Sequence, residues 1–120
     1  MMTFIQGLPE NVIGITASGH ISASDYETIL VPAIEAALAQ HGKIRVLYHI
    51  ADDFSGFTPG AMWDDMKLGL GHLHAWERMA IVTDVNWVAH ATSLFKFIMP
   101  CPVQVFALSQ LDEAKRWICS

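Results

Sequence analysis

Charged residues are scarce in this chain. Asp, Glu, Lys and Arg make up 16% of its 120 residues, against about 25% in an ordinary soluble domain. Basic residues are the scarcer sign: seven Lys and Arg stand against twelve Asp and Glu, a formal net charge of -5. No basic stripe runs through the sequence. That excludes a nucleic-acid backbone as partner, and simple electrostatic attraction to anionic lipid with it. Cysteine is limited to Cys101 and Cys119, which have neither metal nor redox spacing, so no disulfide framework is expected. No apolar run reaches the roughly 20 residues of a membrane span. The N-terminus lacks the basic and apolar regions of a signal peptide, so a cytoplasmic chain with reduced thiols is expected. Repeats, linkers and low-complexity segments are also missing, so residues 1–120 are expected to form a single domain.

Catalytic and metal signatures are missing too. His72 and His74 lie two apart, which on a helix puts them on different faces, and no HExxH or other ligand spacing occurs. Ser55 precedes Gly56 without a G-x-S-x-G elbow, and Gly56 with Gly60 does not make a phosphate-cradling loop. The expectation is a non-enzymatic protein with no metal and no cofactor.

Apolar residues, by contrast, make up 52% of the chain. Either the core is large or apolar surface is kept for a ligand, a partner or a membrane. The segment Ile44 to Ala51 reads as a strand buried on both faces. Asp52 and Asp53 end it, a Ser-Gly loop follows, and Thr58-Pro59 supplies an N-cap and a first-turn proline for a helix. In an open α/β sheet this strand-to-helix junction is where a ligand is expected.

Around that centre, Thr3 to Leu8 and Val12 to Ser18 read as an antiparallel hairpin turned at Pro9-Glu10-Asn11, with Gly14 weakening the second strand or marking a bulge. Ser24 with Glu27 has the spacing of a capping box for a helix to about Gln40, whose buried stripe is Tyr26, Leu30, Ala33, Ile34, Ala37 and Leu38. Pro32 inside it predicts a kink, and Gly42 a stop. After Thr58, Met62, Met66, Leu70 and Leu73 form the predicted apolar stripe. Asp64 and Asp65 are placed near the positive end of the helix dipole, and Gly69 and Gly71 make the helix easy to deform or to approach closely. Arg78 to Thr83 is the next strand. Asp84 is a candidate cap for a helix from about Trp87 to Met99, with Trp87, Val88, Ala91, Leu94, Phe95 and Ile98 on one face. Val103 to Leu108 is the last strand. Ser109 and Asp112 resemble another capping box, for a helix from Leu111 to about Ile118. The order β-β-α-β-α-β-α-β-α predicts an α/β fold with a mixed five-stranded sheet and right-handed parallel crossovers after the hairpin.

Two groups of residues are candidates for function. Asp52, Asp53 and Asp84 gather at the carboxyl edge of the sheet. A divalent-metal site is the sharper reading and turn or cap residues the commoner one. Phe54, Phe57, Trp63, Trp87, Phe95 and Phe97 lie on or near the two helices that rim that edge. They suggest an apolar pocket or a lipid-inserting patch. Core packing is the commoner use of such residues and suits Trp63, Trp87 and Phe95, whereas Phe57 and Phe97 fit a core less well.

The same element order, with Asp53-Phe54-Ser55-Gly56-Phe57 after the central strand, resembles the SpoIIAA-like family of small STAS/SEC14-type domains. Asp25-Tyr26-Glu27, His41 through Arg45, Met62 through Asp65, Glu77 through Val82, Trp87 and Glu113 through Trp117 carry the resemblance across nearly the whole chain. Two expectations follow from it. In anti-sigma factor antagonists a serine at this helix start is phosphorylated and switches partner binding. Ser55 matches that position, although Phe54 stands where the motif has its first serine. Likeness to SEC14 (CRAL-TRIO) domains implies instead an apolar, lipid-like ligand held under movable helices, with peripheral membrane contact. The leading expectation is a binding domain for a small apolar or amphipathic ligand, with Phe57, Trp63, Trp87, Phe95 and Phe97 as its ligand-binding residues. The alternative is a STAS-type protein-interaction module or homodimer regulated at Ser55.

Overall fold

The strand at the centre forms where the sequence places it. In a computed structural model that describes residues 1–120, Ile44–Ile50 (β4) runs between Val12–Ala17 (β2) and Trp76–Val82 (β6). Met2–Phe4 (β1) closes one edge antiparallel to β2, and Val103–Phe106 (β7) closes the other, parallel to β6. The result is the mixed five-stranded sheet of the expected α/β fold, in the order β1-β2-β4-β6-β7. A second, two-stranded ribbon pairs His20–Ile21 (β3) with Gly56–Phe57 (β5) in parallel. Elements this short carry no periodic signal, so the sequence does not announce them.

The first hairpin is shorter than its hydrophobic pattern suggests. β1 stops at Phe4, and residues 5–8 instead fold over β2. Gly14 pairs in regular register with Leu47, so it marks no bulge. A Cβ there would sit 2.5 Å from Leu8 Cδ1 and 3.0 Å from Ile5 Cβ, which is the reason for the glycine.

Four helices flank the sheet. The first, α1, spans residues 23–41 and is built of Ala23–Asp25, a π-helical turn at Tyr26–Leu30, and Val31–His41. Its N-cap is Ser22, not Ser24: the Ser22 hydroxyl accepts from the Asp25 amide, and the Asp25 carboxylate accepts from the Ser22 amide. Pro32 lacks an amide hydrogen, and the chain meets this by widening the turn before it: the Val31 N–H bonds to Tyr26 O, five residues back. Gly42 ends the helix at φ +71, a left-handed conformation that suits glycine.

Pro59–Gly71 (α2) has Thr58 as its N-cap, whose hydroxyl accepts from the Ala61 amide. Asn86–Phe95 (α3) is capped by Val85 without a side-chain bond, so Asp84 does not cap it. Leu111–Cys119 (α4) follows a short turn in which Gln110, not Ser109, accepts the Ala107 amide.

Side chains of the sheet point alternately to two separate cores. Ile44, Val46, Tyr48 and Ile50 pack with α1, α2 and α3; Leu47, Ala80, Val82 and Phe106 pack with Ala114 and Ile118 of α4. A register shift at Ile44/Arg45 leaves Glu77 without a partner in β4. That extra residue brings Trp76 to the same side of the sheet as Met79 and Ile81. On the α4 side, Arg45 Nη1 donates to Ile118 O and Arg78 Nη1 to Trp117 O, each at 2.8 Å, holding the helix by its carbonyl end.

Candidate functional site

The two cores are not equally filled. Between the sheet and α1, α2 and α3 lies a hollow of about 380 Å³, 19 of whose 22 lining residues are hydrophobic. Its floor includes Val46, Tyr48 and Ile50 of β4, Met79 and Ile81 of β6 and Val103 of β7, and its walls include Leu30, Leu68 and Val88. It therefore spans the face of the sheet under the helices instead of sitting only at the carboxyl edge.

The wall contributed by α2 keeps two residues of the predicted stripe, since Met62 and Met66 line the hollow while Leu70 and Leu73 do not. Met62, Met66 and Leu70 are largely exposed, while Ala61 and Asp64 are the buried residues of this helix. Asp65, Leu68 and Gly69 line the hollow. Met62, Asp65, Met66 and Gly69 follow helical spacing, so the inward face is the predicted one, widened to Leu68 and Gly69 at the expense of Leu70. Gly60 allows a close seat against α1, since a Cβ there would lie 3.1 Å from Ala23 Cβ. Asp64 and Asp65 sit beyond the first turn and leave the helix dipole unserved.

Asp65 is the one acidic residue of the lining, and no Lys, Arg or His lines the hollow. Its Oδ1 accepts from the Tyr26 hydroxyl at 2.8 Å, and the Tyr26 and Tyr48 hydroxyls are 3.0 Å apart. Tyr26 has one proton and gives it to Asp65, so Tyr48 donates to Tyr26. Asp65 keeps accessible surface where it opens into the hollow, and its neighbours in the lining are apolar. The surroundings govern the electrostatics. Burial raises the Asp65 pKa above the usual carboxylate range, and the Tyr26 hydrogen bond offsets only part of this. Burial, with the Asp65 charge adding to it, pushes both phenols well above their ordinary range, so they stay protonated.

Phe57, Trp87 and Phe95, the predicted ligand residues, line the hollow. Phe57 stands at the centre of an aromatic group, with ring centroids 6.5 Å from Tyr26 and from Tyr48, 4.9 Å from Phe54 and 6.0 Å from Trp87. Trp63 and Phe97 are absent from the lining; they are 60% and 90% exposed on the outer surface. Trp63 and Trp87, expected in the core, are both surface-accessible. On α3 the inward face is Trp87, Val88, Ala91, Thr92 and Phe95, followed by Met99, so the predicted face holds except at Leu94 and Ile98, which point outward.

The acidic residues at the sheet edge remain apart in role. Asp52 and Asp53 are exposed turn residues, and Asp84 Oδ1 accepts the Leu108 amide at 3.0 Å. No three His, Cys, Asp or Glu side chains are grouped so as to hold a metal ion. Ser55 is exposed, and its amide donates to Gly19 O at 2.8 Å. No helix is long and apolar enough to cross a membrane.

The family model described as SpoIIAA-like matches residues 12–119. This chain belongs to the SpoIIAA-like family. A solved structure from Shewanella loihica PV-4, an uncharacterised protein with a SpoIIAA-like fold, superposes with a TM-score of 0.78 at 26% identity, over 99% of this chain and 93% of that one. No curated protein matches the chain. In this SpoIIAA-like chain the fold is that of a STAS-type module, a class that is generally non-catalytic. Sequence reasoning missed Tyr26, Tyr48 and Asp65 as site residues. The first two were read as core, which they also are, and the third as a charge at a helix start.

Proposed function

We propose that this SpoIIAA-like chain is a non-catalytic STAS-type binding module that takes a small apolar or amphipathic molecule between its sheet and α1, α2 and α3. The hollow carries this reading: it is the size of a small-ligand site, and its lining is almost wholly apolar with a few convergent polar groups. Gly69 supplies the test. A Cβ there would lie 3.8 Å from the Phe95 ring, an ordinary contact, so Gly69→Leu would send its longer side chain into the space. The uncharged apolar dye Nile red is expected to bind the wild type and to lose at least tenfold in affinity to Gly69→Leu. Equal binding by the two folded proteins would place the dye elsewhere and sink the pocket reading.

A second reading has its own support. Trp63 and Leu70 on α2, Leu94 on α3, and Phe97 and Ile98 just beyond it are exposed away from the hollow, and Ser55 lies exposed just ahead of α2. These suit a module that meets a partner protein or a second copy through its helices and is regulated by charge at Ser55. Phe97→Asp and Ser55→Asp are then expected to weaken self-association or partner capture, as read by sedimentation and pull-down. Unchanged behaviour of both folded variants would remove this reading.

A further inference from the structure

The hollow has a charge preference built into it. Its polar focus is the Tyr48–Tyr26–Asp65 chain, in which Asp65 Oδ1 accepts a hydrogen bond from the Tyr26 hydroxyl and no protein group donates to Oδ2. Asp65 forms no ion pair: its neighbour Asp64 has the lysine, with Oδ1 3.4 Å from Lys67 Nζ. The hydroxyl order leaves no spare donor aimed at Asp65 from Tyr48. This carboxyl group opens into the hollow without a cation beside it and is free to take one.

The aromatic rings continue the same preference. Tyr26, which holds Asp65, and Tyr48 both lie 6.5 Å from Phe57, and Phe57 meets Trp87 edge-on at 6.0 Å. Tyr26 ties Asp65 to this aromatic group, so an ammonium group beside the carboxylate would have rings nearby as well. An anionic head would meet the opposite: no Lys, Arg or His lines the hollow to receive it, and Asp65 would repel it.

We propose that the ligand is a lipophilic amine, its apolar body against the sheet and its ammonium group on Asp65 within the ring of Tyr26, Tyr48 and Phe57. The inference deepens the pocket reading and rests on it. It separates this site from one for fatty-acid anions or phosphorylated lipids, which the charge of the lining disfavours. The groups facing Asp65 are Tyr26 from α1 and, through it, Tyr48 from β4; both phenols remain neutral when the amine arrives. The unpaired carboxyl then takes its charge with a counter-ion beside it, which offsets the cost of burying it.

The test is a calorimetric comparison of naphthylmethylamine, naphthylmethanol and naphthoate at pH 7 with the full chain stripped of any bound ligand. These molecules share a ring system and differ in the charge they bring. The expected order is amine, then alcohol, then carboxylate, with the amine at least tenfold tighter than the alcohol. Asp65→Asn is expected to lower amine affinity to that of the alcohol. Should the variant not fold, the wild-type order decides alone. Naphthoate binding as tightly as the amine, or an amine preference that survives in folded Asp65→Asn, would overturn the amine inference and leave the pocket standing. Failure of all three compounds and of Nile red would overturn both.

Discussion

Asp65 is where local stability and the site pull in opposite directions. The folded chain keeps its proton to a higher pH than the unfolded chain, whose carboxyl titrates near the ordinary value of about 4. Between that value and the raised folded one, the folded state binds more protons. Stability therefore falls as pH rises through the window. Asp65→Asn removes this dependence. In ligand-free protein it is expected to melt above wild type at pH 7, with the gap closing as pH falls toward about 4. Thermal melts followed by circular dichroism across that range check it; a gap that stays constant or widens in acid would contradict the assignment. Tyr26 and Tyr48 were legible as buried residues from their spacing and their strand. Their hydroxyl chain was not, since it joins side chains 22 and 39 positions apart. Phe57, Trp87 and Phe95 stand out in the sequence because aromatic side chains gather near a strand-to-helix junction, where core packing and a ligand could both use them.

At the scale of elements, the sequence speaks clearly where one signal dominates. The Thr58-Pro59 helix start, the Gly42 stop and the buried run of β4 all form as read. It misleads where two signals compete. On α2 the apolar stripe holds at Met62 and Met66 and fails at Leu70, where Leu68 and the small residue Gly69 take the inward positions. On α1 the proline predicts a kink, and a π turn absorbs it, starting at Tyr26. The α4 side offers a control. Arg78 donates to Trp117 O and Ser120 Oγ and lies with its guanidinium carbon 5.3 Å from the Trp117 ring centre. Arg78→Ala is expected to cost about 1 kcal/mol in urea unfolding, from a lost cation at a helix end and its hydrogen bonds. Nile red affinity is expected to hold, because α4 and the hollow lie on opposite sides of the sheet. Lost dye binding by a folded Arg78→Ala protein would contradict that division.

At the scale of the whole molecule, the fold class and the five-stranded mixed sheet were readable because strands alternating with helices allow few arrangements. The hollow was readable only as an aromatic cluster at the carboxyl edge, since no local pattern records that one layer of a sheet is left underfilled. The low charge content has a physical destination in both the lined hollow and the outer helix faces, so the Nile red and Phe97→Asp experiments divide the chain's apolar surface between its inner and outer uses. The rims of the sheet add a further constraint. β1 has three residues and β7 four, and Pro100 and Pro102 stand just before β7. So little free backbone offers a poor template for a strand from another molecule. Any assembly this protein enters is thus directed away from shared sheets and toward side-chain contact between helices, and α2 and α3, which would make that contact, are also the walls of the hollow. A partner resting on them would hold those walls in place and slow both the arrival and the escape of whatever lies beneath.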